Sequence, residues 1–100
     1  MVIYEVGAIV NPELCESYER FMTEEHIPDL METGCFSEVS FETCANGEYQ
    51  VRYAANTTED LETYLRDHAP SLRSEFAARF PYGVTVSRKE WMILKRFETV

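Results

Sequence analysis

The chain has 100 residues, 45% hydrophobic and 13% aromatic, which is enough apolar material for one core and too short a chain for two. Its net charge of −9 makes it a poor partner for a phosphate backbone, so nucleic acid is excluded as the expected ligand. No run of residues approaches a bilayer span, and Met1-Val2-Ile3-Tyr4-Glu5 lacks a basic stretch ahead of a long apolar one, so the expectation is a cytoplasmic protein with no membrane partner.

Val2 to Val10 alternates as a strand, with Val2, Tyr4, Val6, Ala8 and Val10 on one face and Ile3, Glu5, Gly7 and Ile9 on the other. Asn11-Pro12 supplies a helix cap and a proline at the first helical position. Leu14, Tyr18, Phe21 and Met22 then follow at helical spacing, with Glu13, Glu16, Glu19 and Arg20 mainly outside. Pro28 is expected to break or kink this helix, leaving a short turn that runs to Thr33-Gly34.

Cys35 to Thr43 and Glu48 to Ala55 read as strands around Asn46-Gly47, a hairpin signal because both residue types tolerate positive φ. Thr57 with Asp60 resembles a capping box and opens a helix carrying Leu61, Tyr64 and Leu65. Asn56-Thr57-Thr58 also fits a glycosylation acceptor, which has no consequence without export. Pro70 is expected to interrupt this second helix. Leu72, Phe76 and Phe80 extend its apolar stripe until Pro81-Tyr82-Gly83 turns the chain into a last strand, Val84 to Phe97.

The order βαββαβ, with a tight hairpin at its centre, predicts an α+β ferredoxin-like domain over residues 1–100. Its four-stranded antiparallel sheet carries broken helices on one face. Fourteen extended residues in the last strand would span ~46 Å against about 30 Å for a neighbour of eight or nine, so part of it must overhang, bend or pair elsewhere. Trp91, Ile93 and Phe97 fall on the face that one helical layer leaves open. A homodimer is therefore expected, with these three residues at its interface.

His26-Ile27-Pro28, Thr33-Gly34-Cys35-Phe36 and His68-Ala69-Pro70-Ser71-Leu72-Arg73 with Phe76 resemble a family of short bacterial proteins catalogued as a domain of unknown function. That family is similar to the dimeric α/β-barrel group, in which two ferredoxin-like sheets pair into a barrel. The resemblance covers nearly the whole chain. It implies the fold and the dimer. It implies no particular reaction, because the wider group holds cofactor-free oxygenases, isomerases, haem-handling proteins and members without known activity.

His26 and His68 are the chain's two histidines, each in a His-x-Pro-x-Leu motif, and they lead the candidate ligand-binding residues. Each could face a cleft as acid, base or ligand. The repetition in both halves, each with a proline at a helical first turn, favours the other reading, in which each caps a helix break with its ring satisfying free backbone groups. Arg73, one turn beyond Pro70, could bind an anion or pair with Glu75 or Asp67. Arg52 points away from Val51 and Tyr53, where it would hook a carboxylate inside a barrel or form a dimer ion pair.

Six tyrosines, Tyr4, Tyr18, Tyr49, Tyr53, Tyr64 and Tyr82, with Trp91, could line a pocket or simply fill the core. Cys15, Cys35 and Cys44 are odd in number and lack Cys-x-x-Cys spacing, so reduced and mostly buried thiols are expected. Cys35 beside His26 could be a nucleophile, but nothing local lowers its pKa. A metal site from His26, His68 and Cys35 lacks the close ligand pair that zinc sites show, so no metal or other cofactor is expected.

Phosphate-binding glycine loops and serine-hydrolase motifs are absent from the sequence. The expectation is a homodimeric cytoplasmic small-ligand-binding or accessory module that partners with itself and a small molecule. The alternative is a cofactor-independent oxygenase or isomerase acting on a small aromatic or polyketide-like compound.

Overall fold

In a computed structural model, which describes residues 1–99, strands β1 (Val2–Val10), β2 (Glu38–Ala45), β3 (Glu48–Ala55) and β4 (Val84–Met92) form one sheet in the order β2-β3-β1-β4. Every neighbouring pair is antiparallel. Helices cross one face, and the fold is the expected ferredoxin-like α+β arrangement. β1 lies centrally because it can be buried on both sides: Val2, Tyr4, Ala8 and Val10 face the helices, while Ile3 is only 6% exposed on the other face.

The first helical stretch departs from the expected break. A short 3-10 turn (Pro12–Leu14) leads into α1 (Cys15–Phe21), then a π-helical segment (Met22–His26), then α2 (Ile27–Glu32), with no residue outside helix from Pro12 to Glu32. The Ile27 N–H bonds to the Met22 carbonyl, five residues back. Pro28 cannot donate a backbone hydrogen bond, and its ring crowds the preceding turn. Widening that turn accommodates the proline while the helix continues.

The second stretch is broken as expected. α3 (Thr58–Asp67) and α4 (Ala69–Arg79) flank His68 at φ −120°. The side chain of Thr57 accepts the Asp60 N–H at 3.1 Å, confirming the cap at this helix start. Asn11 does not cap with its side chain; the Leu14 N–H bonds instead to its carbonyl at 2.9 Å.

Strand β4 is shorter than expected, ending at Met92 rather than Phe97. The Ile93 N–H still reaches the Met1 carbonyl at 3.1 Å, after which the chain has no further strand pairing among the described residues. The β2–β3 hairpin differs in detail as well. Only Gly47 takes a positive φ, 81°, and the register slips between Thr43 and Ala45. One extra residue, Cys44, thus bulges from β2 and lets a simpler turn close the hairpin.

Gly47 is required for two reasons. An L-residue at this φ costs about 1–2 kcal/mol by itself. A Cβ would also stand 2.7 Å from the Val10 carbonyl oxygen, on the backbone that the Val10 N–H to Gly47 carbonyl bond ties down. Gly34, with φ 77°, meets nothing within 4 Å, so only the conformational term applies there. Gly47→Ala is expected to destabilise by at least about 1 kcal/mol more than Gly34→Ala in urea unfolding; equal losses would show that the hairpin backs away from Val10 freely.

Candidate functional site

Between the inner face of the sheet and the helices lies a cleft whose floor is Tyr4 and Val6 of β1, Tyr53 of β3, and Val86 and Arg88 of β4. Tyr18, Met22, His26 and Leu30 form one wall, and Tyr64, Arg73 and Phe76 the other. The enclosed space is about 30 Å³, room for a head group rather than for a whole metabolite.

The π-helical segment makes the first wall possible. Tyr18, Met22, His26 and Leu30 recur every fourth residue, and in an unbroken α-helix each such step would drift about 40° around the axis. The wider turn takes up that drift, so all of them reach one cleft.

His26 sits between the Phe21 and Phe76 rings, with centroids 5.6 Å away in each case. Its Nδ1 is the one buried side-chain nitrogen or oxygen that lacks a hydrogen-bond partner among the described residues. Burial pushes its pKa down to about 4, against a partial opposing pull from Asp29, and Arg88 adds to the depression. A neutral imidazole with an unused nitrogen is thus held against aromatic rings. Leaving such a group unpaired costs about 1–3 kcal/mol.

Of the other candidates, Arg73 shares this cleft, and its Nη2 donates to the Tyr4 hydroxyl at 2.9 Å. It pairs with neither Glu75 nor Asp67; Asp67 instead bonds Arg66. Arg52 lies on the opposite face of the sheet, 3.4 Å from Glu5, and is not brought together with the histidines.

His68 does not line the cleft. Its ring lies near that of Tyr64, 6.4 Å between centroids, and its carbonyl accepts from Leu72 and Ser71. The backbone of His68 joins the helices; neither histidine ring makes a capping hydrogen bond. Of the cysteines only Cys35 is buried; Cys15 is half-buried and Cys44 exposed, and all three are free. Among the described residues no group of three or more His, Cys, Asp or Glu side chains could hold a metal ion.

Sequence reasoning missed Arg88. It occupies the same row of β4 as Val84 and Val86, and a cation in a core-facing row was the signal that could have identified it.

A larger, open groove of about 560 Å³ runs between the start of α1 and the hairpin, past Cys15, Glu19, Cys44 and Tyr49. Its polar groups already serve one another. The Tyr49 hydroxyl donates to Glu19, and the Cys15 thiol lies against the Val10 and Asn11 carbonyls. The cleft, with its unsatisfied atom, is the better candidate site.

A helical layer on one face of a βαββαβ sheet, with a cleft between the two, defines the ferredoxin-like α+β class. Residues 1–93 match the family described as a domain of unknown function, DUF4286, and the chain belongs to that family. The fold is shared with solved structures of low sequence identity. A protein from Deinococcus radiodurans named as a candidate antibiotic biosynthesis monooxygenase is 14% identical, with TM-score 0.72, over 100% of this chain and 99% of that one.

An ethyl tert-butyl ether d (EthD) family protein from Bacillus halodurans is 12% identical, with TM-score 0.68, over 92% of this chain and 100% of that one. Rv0793 from Mycobacterium tuberculosis is also 12% identical, with TM-score 0.65, over 98% of this chain and 100% of that one. No curated protein sequence matches the chain. No helix of the described residues is long and apolar enough to cross a membrane.

The His26 shift fixes a pH dependence. Its folded value lies below the usual 6.5, so under that pH the unfolded chain takes up a proton that the folded chain refuses. The stability linked to His26 is complete above about pH 6.5, falls as the pH approaches 4 and levels off below, a loss of about 3 kcal/mol at most. His26→Phe is expected to remove this part of the slope. Urea unfolding of both proteins at pH 7 and pH 4.5 checks it, and parallel losses would place His26 in water.

Proposed function

We propose that the protein is a cytoplasmic homodimeric module that binds a small molecule in the cleft, with His26 and Arg73 as contacts. The observation that carries this reading is the buried, unpartnered Nδ1 of His26, a residue that lines a cleft rich in aromatic rings. A structural histidine would be expected to find a partner on folding; one that does not is poised for a partner from outside. The names of the structural neighbours, a candidate monooxygenase and an EthD family protein, are compatible with a small-molecule site on this fold.

Catalysis is the weaker reading. An imidazole with a pKa of about 4 is neutral at pH 7 but has little affinity for a proton, which makes it a poor general base. Accepting or donating a hydrogen bond to a bound molecule suits it better.

The open face of the sheet supports the dimer. Ile9 and Trp91 are 56% and 47% exposed there, and beyond the last strand Leu94 and Phe97 are 93% and 84% exposed. Glu38, Glu42 and Glu48 stand toward the β2 edge of that face, and Lys89 stands over the Trp91 ring on β4. A two-fold axis along the strands would lay β4 of one copy, with Lys89 on its open face, over the acidic edge of the other and bury Trp91. Of the expected interface residues, Trp91 and Phe97 are thus available and Ile93 is half-buried.

Native mass spectrometry of protein purified gently from its own source tests both parts. A dimer carrying a stoichiometric small molecule is expected, and that molecule should be lost from His26→Phe. A preparation that never retains or accepts a small molecule would defeat the binding reading. Trp91→Ala should weaken association by about tenfold or more in sedimentation equilibrium, as expected for a central aromatic contact; a wild type that is monomeric at micromolar concentration would defeat the dimer.

A further inference from the structure

The chain carries twice as many acids as bases, so an arginine without a carboxylate partner is informative. Arg20, Arg52, Arg66 and Arg79 each lie within 3.6 Å of a carboxylate oxygen. The other three, Arg73, Arg88 and Arg96, have no such ion pair among the described residues; Arg96 lies beyond the last strand, while Arg73 and Arg88 both line the cleft.

The rest of the lining deepens the imbalance. Tyr4, Tyr18, Tyr53 and Tyr64 bring hydroxyl groups to it, and the only hydrogen bond any of them makes among the described residues is the one from Arg73 to Tyr4. Burial pushes the phenols of Tyr18, Tyr53 and Tyr64 well above the usual tyrosine range, so they remain O–H donors at neutral pH. No Asp, Glu, Asn or Gln side chain lines the cleft. Asp29, whose field reaches His26, forms no ion pair with Arg88. The site is therefore rich in donors, doubly cationic and without an anionic side chain of its own.

We infer that the cleft binds the carboxylate of a small organic acid, its oxygens between the guanidinium groups of Arg73 and Arg88 and the Tyr4 hydroxyl, with the body of the molecule extending outward through the mouth. The inference rests on the ligand-binding reading and names its ligand class. Size agrees with it, because the enclosed space of about 30 Å³ takes a planar three-atom head group and little more. Arg73 and Arg88 are exposed residues at the mouth, Arg73 is tied there to the buried Tyr4 by its hydrogen bond, and guanidinium groups match the two oxygens of a carboxylate.

The test is an NMR titration of the full chain with benzoate and with benzamide, which has nearly the same shape and no charge, read on the histidine and tyrosine ring signals. Benzoate is expected to bind at least about tenfold more tightly than benzamide, the size of one charge-assisted hydrogen bond. Arg88→Gln should lose that advantage and leave benzamide binding as it was. Arg20→Gln, on an exposed helix and paired to Glu16, should retain it.

Equal binding of the two probes would overturn the carboxylate inference while leaving a ligand cleft in place. Inorganic phosphate binding more tightly than benzoate would overturn it in favour of a different anion. No shift of the His26 signals with any probe would overturn this inference and, together with a ligand-free native mass, the binding reading beneath it.

Discussion

Aromatic packing between helices and sheet organises this molecule, and it comes in two separate groups. Tyr18 is the hub of one, touching Phe41, Tyr49, Phe76 and Phe80, with Phe21 and His26 joined through Phe76. Tyr4 is the hub of the other, with Phe36, Tyr53 and Tyr64, and His68 against Tyr64. No ring pair joins the groups among the described residues. Phenols cannot close such a seam as hydrocarbons would, because each hydroxyl needs a polar neighbour. The cleft lies along that seam, and the orphaned histidine nitrogen and the arginine pair lie beside it.

Much of this was legible in the sequence because the signals were local and repeated. Alternation in Val2 to Val10, the Thr57 cap and the Asn46-Gly47 turn are each decided within a few residues, and together they leave one topology. What was not legible depended on geometry between distant segments. Pro28 read as a helix breaker, yet a wider turn accommodated it, and nothing in the local sequence distinguishes Pro28 from Pro70. β4 ran on as an alternating pattern to Phe97, but its neighbour β1 begins at Val2, and a strand without a partner is only an extended chain. Arg52 and Arg73 were indistinguishable as isolated cations. Only the sheet registry, which sets Arg52 opposite Glu5, separates them.

The charge distribution ties these features together. The acidic body offers a carboxylate to four of its seven arginines, and two of the three exceptions, Arg73 and Arg88, come together at the cleft, whose lining holds no acid. An uneven charge map within a chain of one dominant sign is more telling than the net figure. Strand β4 carries both exceptional features of the molecule: Arg88 on the face toward the helices and Trp91 on the face away from them. Any copy packed against the open face would therefore press on the strand that also floors the cleft.

The π-helical segment has a consequence for how the chain tolerates changes in length. A turn that holds one more residue than an α-helix needs is, in effect, a stored insertion. Deleting a single residue between Met22 and His26 would let the hydrogen bonds fall back to ordinary α spacing without shortening either flanking helix. The helix would become more regular, while everything before the deletion would rotate by about 100° relative to Leu30. Tyr18 and Phe21 would turn away from their ring partners, and the wall of the cleft would be dismantled by a change that improves local helical geometry. Irregularity in this stretch is thus the condition for having an interior surface there.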